Sequence, residues 1–140
     1  MKDLGVADFI LNIKLLRNDD GGITLLQSHY VDKILSLFGY SDCKSSPTPY
    51  DPSVLLRKNR GTARDQLTYS QIIGSLMYFA SVTRHDIAFA VSKLRQFFSN
   101  PRDNHWQALE RVMRYLKSTA SYGIHYTGYP RVLEGYSDSN

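Results

Sequence analysis

A single cysteine, Cys43, stands among the 140 residues, so no internal disulfide can form and no cysteine-rich zinc site can be completed. No apolar run approaches the ~20 residues that a membrane-spanning helix needs. The opening MKDLGVADF lacks the apolar core of a secretory signal, and an intracellular, reducing compartment fits both observations. Glycine-rich phosphate loops, HExxH motifs and Cys/His clusters are all missing. The four histidines (His29, His85, His105 and His125) fall in separate segments, which favours surface or helix-start positions over convergent metal ligands. Strong compositional bias is absent too, so the chain reads as globular and long enough for one core.

What the sequence does hold is helical periodicity between Thr68 and Lys117. The run TYSQIIGSLMYFASV is apolar on nearly every side, as expected of a helix packed between neighbours. In RHDIAFAVSKLRQFFSN, the residues Ile87, Ala90, Val91, Leu94, Phe97 and Phe98 share one arc. In NHWQALERVMRYLKS, an apolar stripe of Trp106, Leu109, Val112, Met113 and Leu116 opposes Gln107, Glu110, Arg111, Arg114 and Lys117. Thr68 with Gln71 forms a capping-box pattern, Asp86 and Asp103 or Asn104 are candidate caps for the next two helices, and Asn100-Pro101 ends the second. Short joints favour antiparallel neighbours and hence a three-helix bundle.

Before this unit, Asp8 to Arg17 partly alternates as a strand, with Phe9, Leu11, Ile13 and Leu15 on one face. Asn18 to Gly22 is turn chemistry, and Ile23 to Gln27 returns as the second strand of a hairpin. Ser28 is a candidate N-cap for HYVDKILSLF, and Gly39 stands where a left-handed C-cap would. Periodicity vanishes from Tyr40 to Leu67, a Pro-containing connection that carries Arg57, Lys58, Arg60 and Arg64. After the helices, Tyr122 to Thr127 and Val132 to Asp138 flank a Gly128/Pro130 break and predict a second hairpin, with the fold cut at both ends. The pattern is α+β, with segments 1–27 (hairpin), 28–67 (helix and long loop), 68–120 (three-helix bundle) and 121–140 (C-terminal hairpin). The net charge of +4 is modest, and the Arg111/Arg114/Lys117 face has two readings, a solvated surface or a track for phosphates.

The runs DCKSSPTPYDPS, YSQIIGSLMYFASVTRHDIAFAVSKLRQF, HWQALERVMRYLKSTASYGIHY and LEGYSDSN, in that order, resemble the Pol polyprotein of plant copia-type LTR retrotransposons. The resemblance covers essentially the whole chain and runs from the end of the reverse transcriptase palm, through thumb and connection, to the start of RNase H. It implies that the opening hairpin acts as a primer grip through Phe9, Leu11, Asn12 and Ile13, and that the last hairpin begins an RNase H-like sheet. Asp138 matches the first RNase H acid, a metal ligand only within an intact domain. Three positions depart from the family pattern. Asn12 and Ser118 stand where glycine is usual, and His85 where proline is usual. Asn12 is therefore expected to weaken or misplace the grip, and Ser118 to disfavour a left-handed helix cap.

The family's polymerase carboxylates are expected upstream of Met1 and the remaining RNase H acids downstream of Asn140. The parent would be an RNA-directed DNA polymerase with RNase H and would use Mg²⁺, whereas this chain needs no cofactor and completes neither active site. Implied partners are an RNA–DNA or DNA duplex, held through phosphates and shape, and the remainder of the Pol polyprotein, with no membrane. The implied location is a cytoplasmic particle or the nucleus. Two other readings stand beside this one, a helical protein-interaction module derived from a transposon and a remnant with no selected function.

Overall fold

The computed structural model describes residues 6–19 and 21–127, and these form an α+β fold with one antiparallel sheet and four α-helices. The expected first strand is broken. β1 (Phe9–Ile10) and β2 (Ile13–Arg17) form a tight hairpin of their own, with Ile10 opposite Ile13. Leu11 and Asn12 take φ of 50° and 64°, the paired positive values of a type I′ turn, whose twist matches that of the flanking strands. A continuous face through Phe9, Leu11, Ile13 and Leu15 is therefore corrected, because the turn lifts Leu11 out of the strand. The Asn18–Gly22 turn leads to β3 (Ile23–Leu26), as the turn chemistry predicts.

The sheet does not end there. β4 (Gly123–Tyr126) pairs antiparallel with β3, giving the order β1-β2-β3-β4, so residues near both ends of the described chain share one sheet. Leu15, Leu25 and Ile124 form a half-buried row across the three longer strands. Gly123 is required by close approach, since a Cβ there would lie 2.2 Å from the Leu25 carbonyl oxygen. Segment 132–138, the expected partner of this strand, lies outside the described residues, as does the rest of the expected RNase H-like hairpin.

α1 (Ser28–Leu37) follows β3 directly. Ser28 is its first residue rather than its cap; Gln27 occupies the cap position and uses its buried side chain to accept a 2.5 Å hydrogen bond from the Thr83 hydroxyl. Gly39, at φ 76°, closes the helix as expected, with the Tyr40 amide donating to the Leu35 carbonyl and the Gly39 amide to that of Ser36. α2 (Gln66–Val82) starts earlier than predicted, capped not by Thr68 but by Asp65, whose carboxylate accepts from the Thr68 amide at 3.2 Å. It is also less enclosed than its composition implies, since Met77 is exposed.

A 3₁₀ turn (His85–Ile87) leads into α3 (Ala88–Arg95), and neither has a side-chain cap. The helix stops short of Phe97 and Phe98, because residues 96–99 tighten into turns ahead of Asn100-Pro101. Phe97 instead stacks on the His105 ring at 4.1 Å, and Phe98 is exposed. α4 (Asp103–Ser118) carries the predicted stripe, with Trp106, Leu109, Val112, Met113 and Leu116 all buried. Neither Asp103 nor Asn104 caps it. His105 does so, its Nδ1 accepting from the Arg102 amide at 3.1 Å. Val31, Ile34 and Leu35 of α1 join the same core as α2, α3 and α4, so segments 28–67 and 68–120 share one interior.

Asp86 has another task than capping. The Arg84 side chain is 1% exposed, and its Nε and Nη2 donate to the two Asp86 carboxylate oxygens at 3.0 and 2.8 Å. The same guanidinium donates to the carbonyl and hydroxyl of Thr119, just past α4, and lies over the rings of Tyr115 and Tyr122. Tyr115 closes the ring of contacts by donating to Asp86 at 2.8 Å.

Two outcomes follow for stability. Leu94 is 2% exposed in the core, so Leu94→Ala should cost roughly 2–5 kcal/mol in urea unfolding. A change below about 0.5 kcal/mol, the range of surface substitutions, would remove it from the core. Arg84→Ala, which removes a buried cation whose carboxylate partner is itself exposed, should cost about 1.5–3 kcal/mol, and Arg84→Lys should recover little because an ammonium cannot make the two-point contact. Burial raises the Asp86 carboxyl, but hydrogen bonds from Arg84 and Tyr115 and the Arg84 charge outweigh this and hold it below its ordinary 3.8. The stabilisation from this pair should be complete above pH ~4 and lost as pH falls through the depressed value. Acid titrations of unfolding should show that loss in the wild type and lack it in Asp86→Asn.

Candidate nucleic-acid interface

The tip of the first hairpin is the first candidate surface. Phe9 and Leu11 are 57% and 77% exposed, Asn12 is exposed and Ile13 is half-buried. The Tyr78 hydroxyl of α2 donates to the Leu11 carbonyl and fixes the tip against the helical unit. Lys14, opposite Phe9, is also exposed, so the prong offers apolar contact beside one cation. Such a prong can rest on sugars and backbone, and it holds no group for acid–base chemistry. Asn12 does not spoil this geometry, because asparagine tolerates the left-handed conformation better than other residues with a Cβ.

The basic face of α4 lies under the long connection. Cys43 to Arg64 runs antiparallel to α4 along its length, as a strap bonded every few residues. The Lys117 ammonium donates to the Cys43 carbonyl at 2.8 Å, and the Ser46 amide donates to the Arg114 carbonyl at 3.3 Å. Arg111 donates from Nε to the Thr48 carbonyl, from Nη2 to its hydroxyl and from Nη1 to Asp51 at 3.3 Å. Arg114 is half exposed and pairs with Glu110 at 3.6 Å. The structure thus brings Arg111, Arg114 and Lys117 together on one face and commits Arg111 and Lys117 to the strap. Between strap and helices lies a cavity of about 340 Å³, floored by Ala90, Leu94 and Ala108.

Near α4's start the strap turns basic. The His105 Nε2 lies 3.0 Å from the Arg57 carbonyl, and because its Nδ1 accepts from Arg102, Nε2 must carry the proton and donate. Asn59 and Asn100 exchange amide bonds, the Nδ2 of Asn59 donating to the Asn100 Oδ1 at 3.0 Å and that of Asn100 to the Asn59 carbonyl at 3.1 Å. The Arg64 amide donates to the Pro101 carbonyl, and the Trp106 indole donates to the Arg64 carbonyl at 2.9 Å.

Asp138 lies outside the described residues, and among the described residues no group of three His, Cys, Asp or Glu side chains could hold a metal. Several motif positions gain a structural account. In TRHDI, Thr83 ties the end of α2 to Gln27 at the start of α1, and Arg84 and Asp86 tie it to the end of α4. Ser118 is the last residue of α4, and no left-handed cap follows it, so the expected penalty for the missing glycine is corrected. Its hydroxyl donates to the Ser46 carbonyl at 3.2 Å. Sequence reasoning misses the Arg84 centre because its partners lie in different elements; the only local signal is an Arg-x-Asp pair at a helix joint.

Known proteins align with the whole of this chain. It is 34% identical over 148 residues to the "Retrovirus-related Pol polyprotein from transposon TNT 1-94" of Nicotiana tabacum, and 37% identical over 142 residues to that from transposon RE1 of Arabidopsis thaliana. Both alignments take in 100% of the chain but only 11% and 10% of the polyproteins, so the chain spans about a tenth of their length. It is also 49% identical over 73 residues to "Secreted RxLR effector protein 161" of Plasmopara viticola, 51% of each chain. No family model and no solved structure matches. Similarity to plant-transposon relatives along the full chain supports a fragment of a retrotransposon Pol polyprotein.

The strap geometry carries its own test. Arg111→Ala removes three side-chain contacts and should cost about 1–2 kcal/mol and expose residues 44–51 to limited proteolysis. Arg114→Ala should stay within about 0.5 kcal/mol of wild type, as surface pairs do. Equal proteolysis of Arg111→Ala and wild type would show that Arg111 does not hold the strap.

Proposed function

We propose that the chain is the part of a copia-type Pol polyprotein that runs from the end of the reverse transcriptase palm, through thumb and connection, to the start of RNase H. Its work is to position a template–primer duplex, and it is not catalytic alone. The observation that carries this reading is similarity to retrotransposon Pol polyproteins along the full length of the chain. The exposed tip at Phe9, Leu11, Asn12 and Ile13, anchored by Tyr78, is consistent with a primer grip. The parent enzyme would use Mg²⁺. The described residues do not fit such an ion, and no step runs through it on this chain.

A second reading is a protein-docking module derived from such an element. It draws on the similarity to a secreted effector, a relative named outside the Pol group. The two readings separate on nucleic acid. The isolated chain should bind an RNA–DNA hybrid and a DNA duplex in fluorescence anisotropy with little dependence on sequence, through backbone contacts. With Mg²⁺ it should neither extend a primer nor cleave the hybrid. Absence of duplex binding at low salt would favour the docking module. Turnover that disappears in Asp138→Asn would overturn the claim that the chain is not catalytic alone.

A further inference from the structure

The chain's charge is unevenly placed. Of its 17 cationic side chains, four (Arg57, Lys58, Arg60 and Arg64) lie in residues 57–64, which contain no acid, and the remaining 13 match the 13 acids in number. The whole net charge of +4 therefore resides in one eight-residue stretch of the strap. Elsewhere four arginines are neutralised, Arg17 by Asp8, Arg84 by Asp86, Arg111 by Asp51 and Arg114 by Glu110, while Arg95 and Arg102 stand singly in other segments. Arg64 pairs with Asp103 at 2.8 Å. Arg57, Lys58 and Arg60 are exposed and meet no carboxylate among the described residues.

A charged loop is ordinarily a solvated one, but this loop is held in place. Its backbone is pinned by the His105 bond to the Arg57 carbonyl and by the reciprocal Asn59–Asn100 amides. Asn100 also donates to the Gly61 carbonyl, and the Gly61 amide donates to the Asn59 side chain. Five hydrogen bonds thus stiffen a stretch whose three exposed cations face no carboxylate among the described residues. Holding cations on a fixed backbone lowers the entropy lost when a partner binds. Two of the three are arginines, whose fork matches phosphate oxygens in a two-point geometry that an ammonium lacks.

We infer that the Arg57/Lys58/Arg60 loop is a preorganised phosphate-contacting surface that grips the backbone of a nucleic-acid duplex. This rests on the duplex-positioning reading and relocates its electrostatic part, because the α4 face to which phosphate contact is otherwise assigned is occupied by the strap. The loop reads no base sequence. It supplies register and affinity through counterion release.

The test uses the full chain and a fluorescent duplex of random sequence, titrated at several salt concentrations. The Arg57→Ala/Lys58→Ala/Arg60→Ala variant is compared with Lys33→Ala/Lys44→Ala/Lys93→Ala, which removes the same charge elsewhere. All six side chains are exposed, and circular dichroism with urea unfolding checks that both variants fold as the wild type does. The loop variant should bind more weakly, with a log–log salt slope shallower by about one for each phosphate it no longer neutralises, while the control keeps close to the wild-type slope. Equal slopes for wild type and loop variant would overturn the inference and leave duplex binding by other residues standing. Equal weakening by both triple variants would reduce the effect to bulk charge and also overturn it. A wild type that fails to bind duplex at low salt overturns this inference and the duplex-positioning reading together. In that case, binding to vesicles of anionic lipid that is abolished in the loop variant would assign the surface to a membrane.

Discussion

The Arg84 guanidinium is enclosed where α2 ends, α3 is about to begin, α4 stops and the chain departs for β4. A cation in such a place is costly to desolvate and is tolerated only because its donors meet acceptors and its faces meet aromatic rings. Asp86 neutralises it from two residues away, Thr119 accepts from it across the fold, and Tyr115 and Tyr122 flank it. One side chain therefore links the end of α2, the end of α4 and the segment that leads to β4. With that segment in place β4 can reach back to β3, and the sheet then carries the hairpin whose tip Tyr78 holds. The Arg-x-Asp pair at this helix joint is the knot of the architecture.

The strap is the second organising feature. A connection of this length without secondary structure would ordinarily be mobile or functional. Here it is tied to α4 by side chains that sequence alone presents as a free basic face. Arg111 and Lys117 spend their donors on strap carbonyls, whereas the strap itself displays Arg57, Lys58 and Arg60 to solvent. Surface charge on a helix and charge available to a ligand are different quantities, and only tertiary packing distinguishes them.

Similarity to Pol polyproteins along the whole chain accompanies an exposed apolar prong anchored by Tyr78 and a cationic loop pinned through Asn59 and Asn100.

The elements legible along the chain are those whose signals are local. The stripe Trp106, Leu109, Val112, Met113 and Leu116, the left-handed Gly39 stop and the Asn18–Gly22 turn each depend on residues within a few positions of one another, and each stands in the structure as read. The Asp65 cap is local as well, but Thr68 offers a competing pattern three residues on, and only the folded helix start separates the two. Whatever depends on distant partners belongs to the tertiary structure. Strand β4 pairs with β3 across some hundred residues, Arg84 meets Thr119 across 35, and Arg111 meets Thr48 across 63. No periodicity encodes such meetings, because hydrophobic pattern says which face is buried and not which element buries it. The same limit applies to the candidate interface. The cations can be counted along the chain, but whether each faces a carboxylate, a carbonyl or open solvent is settled only once the strap is laid along α4.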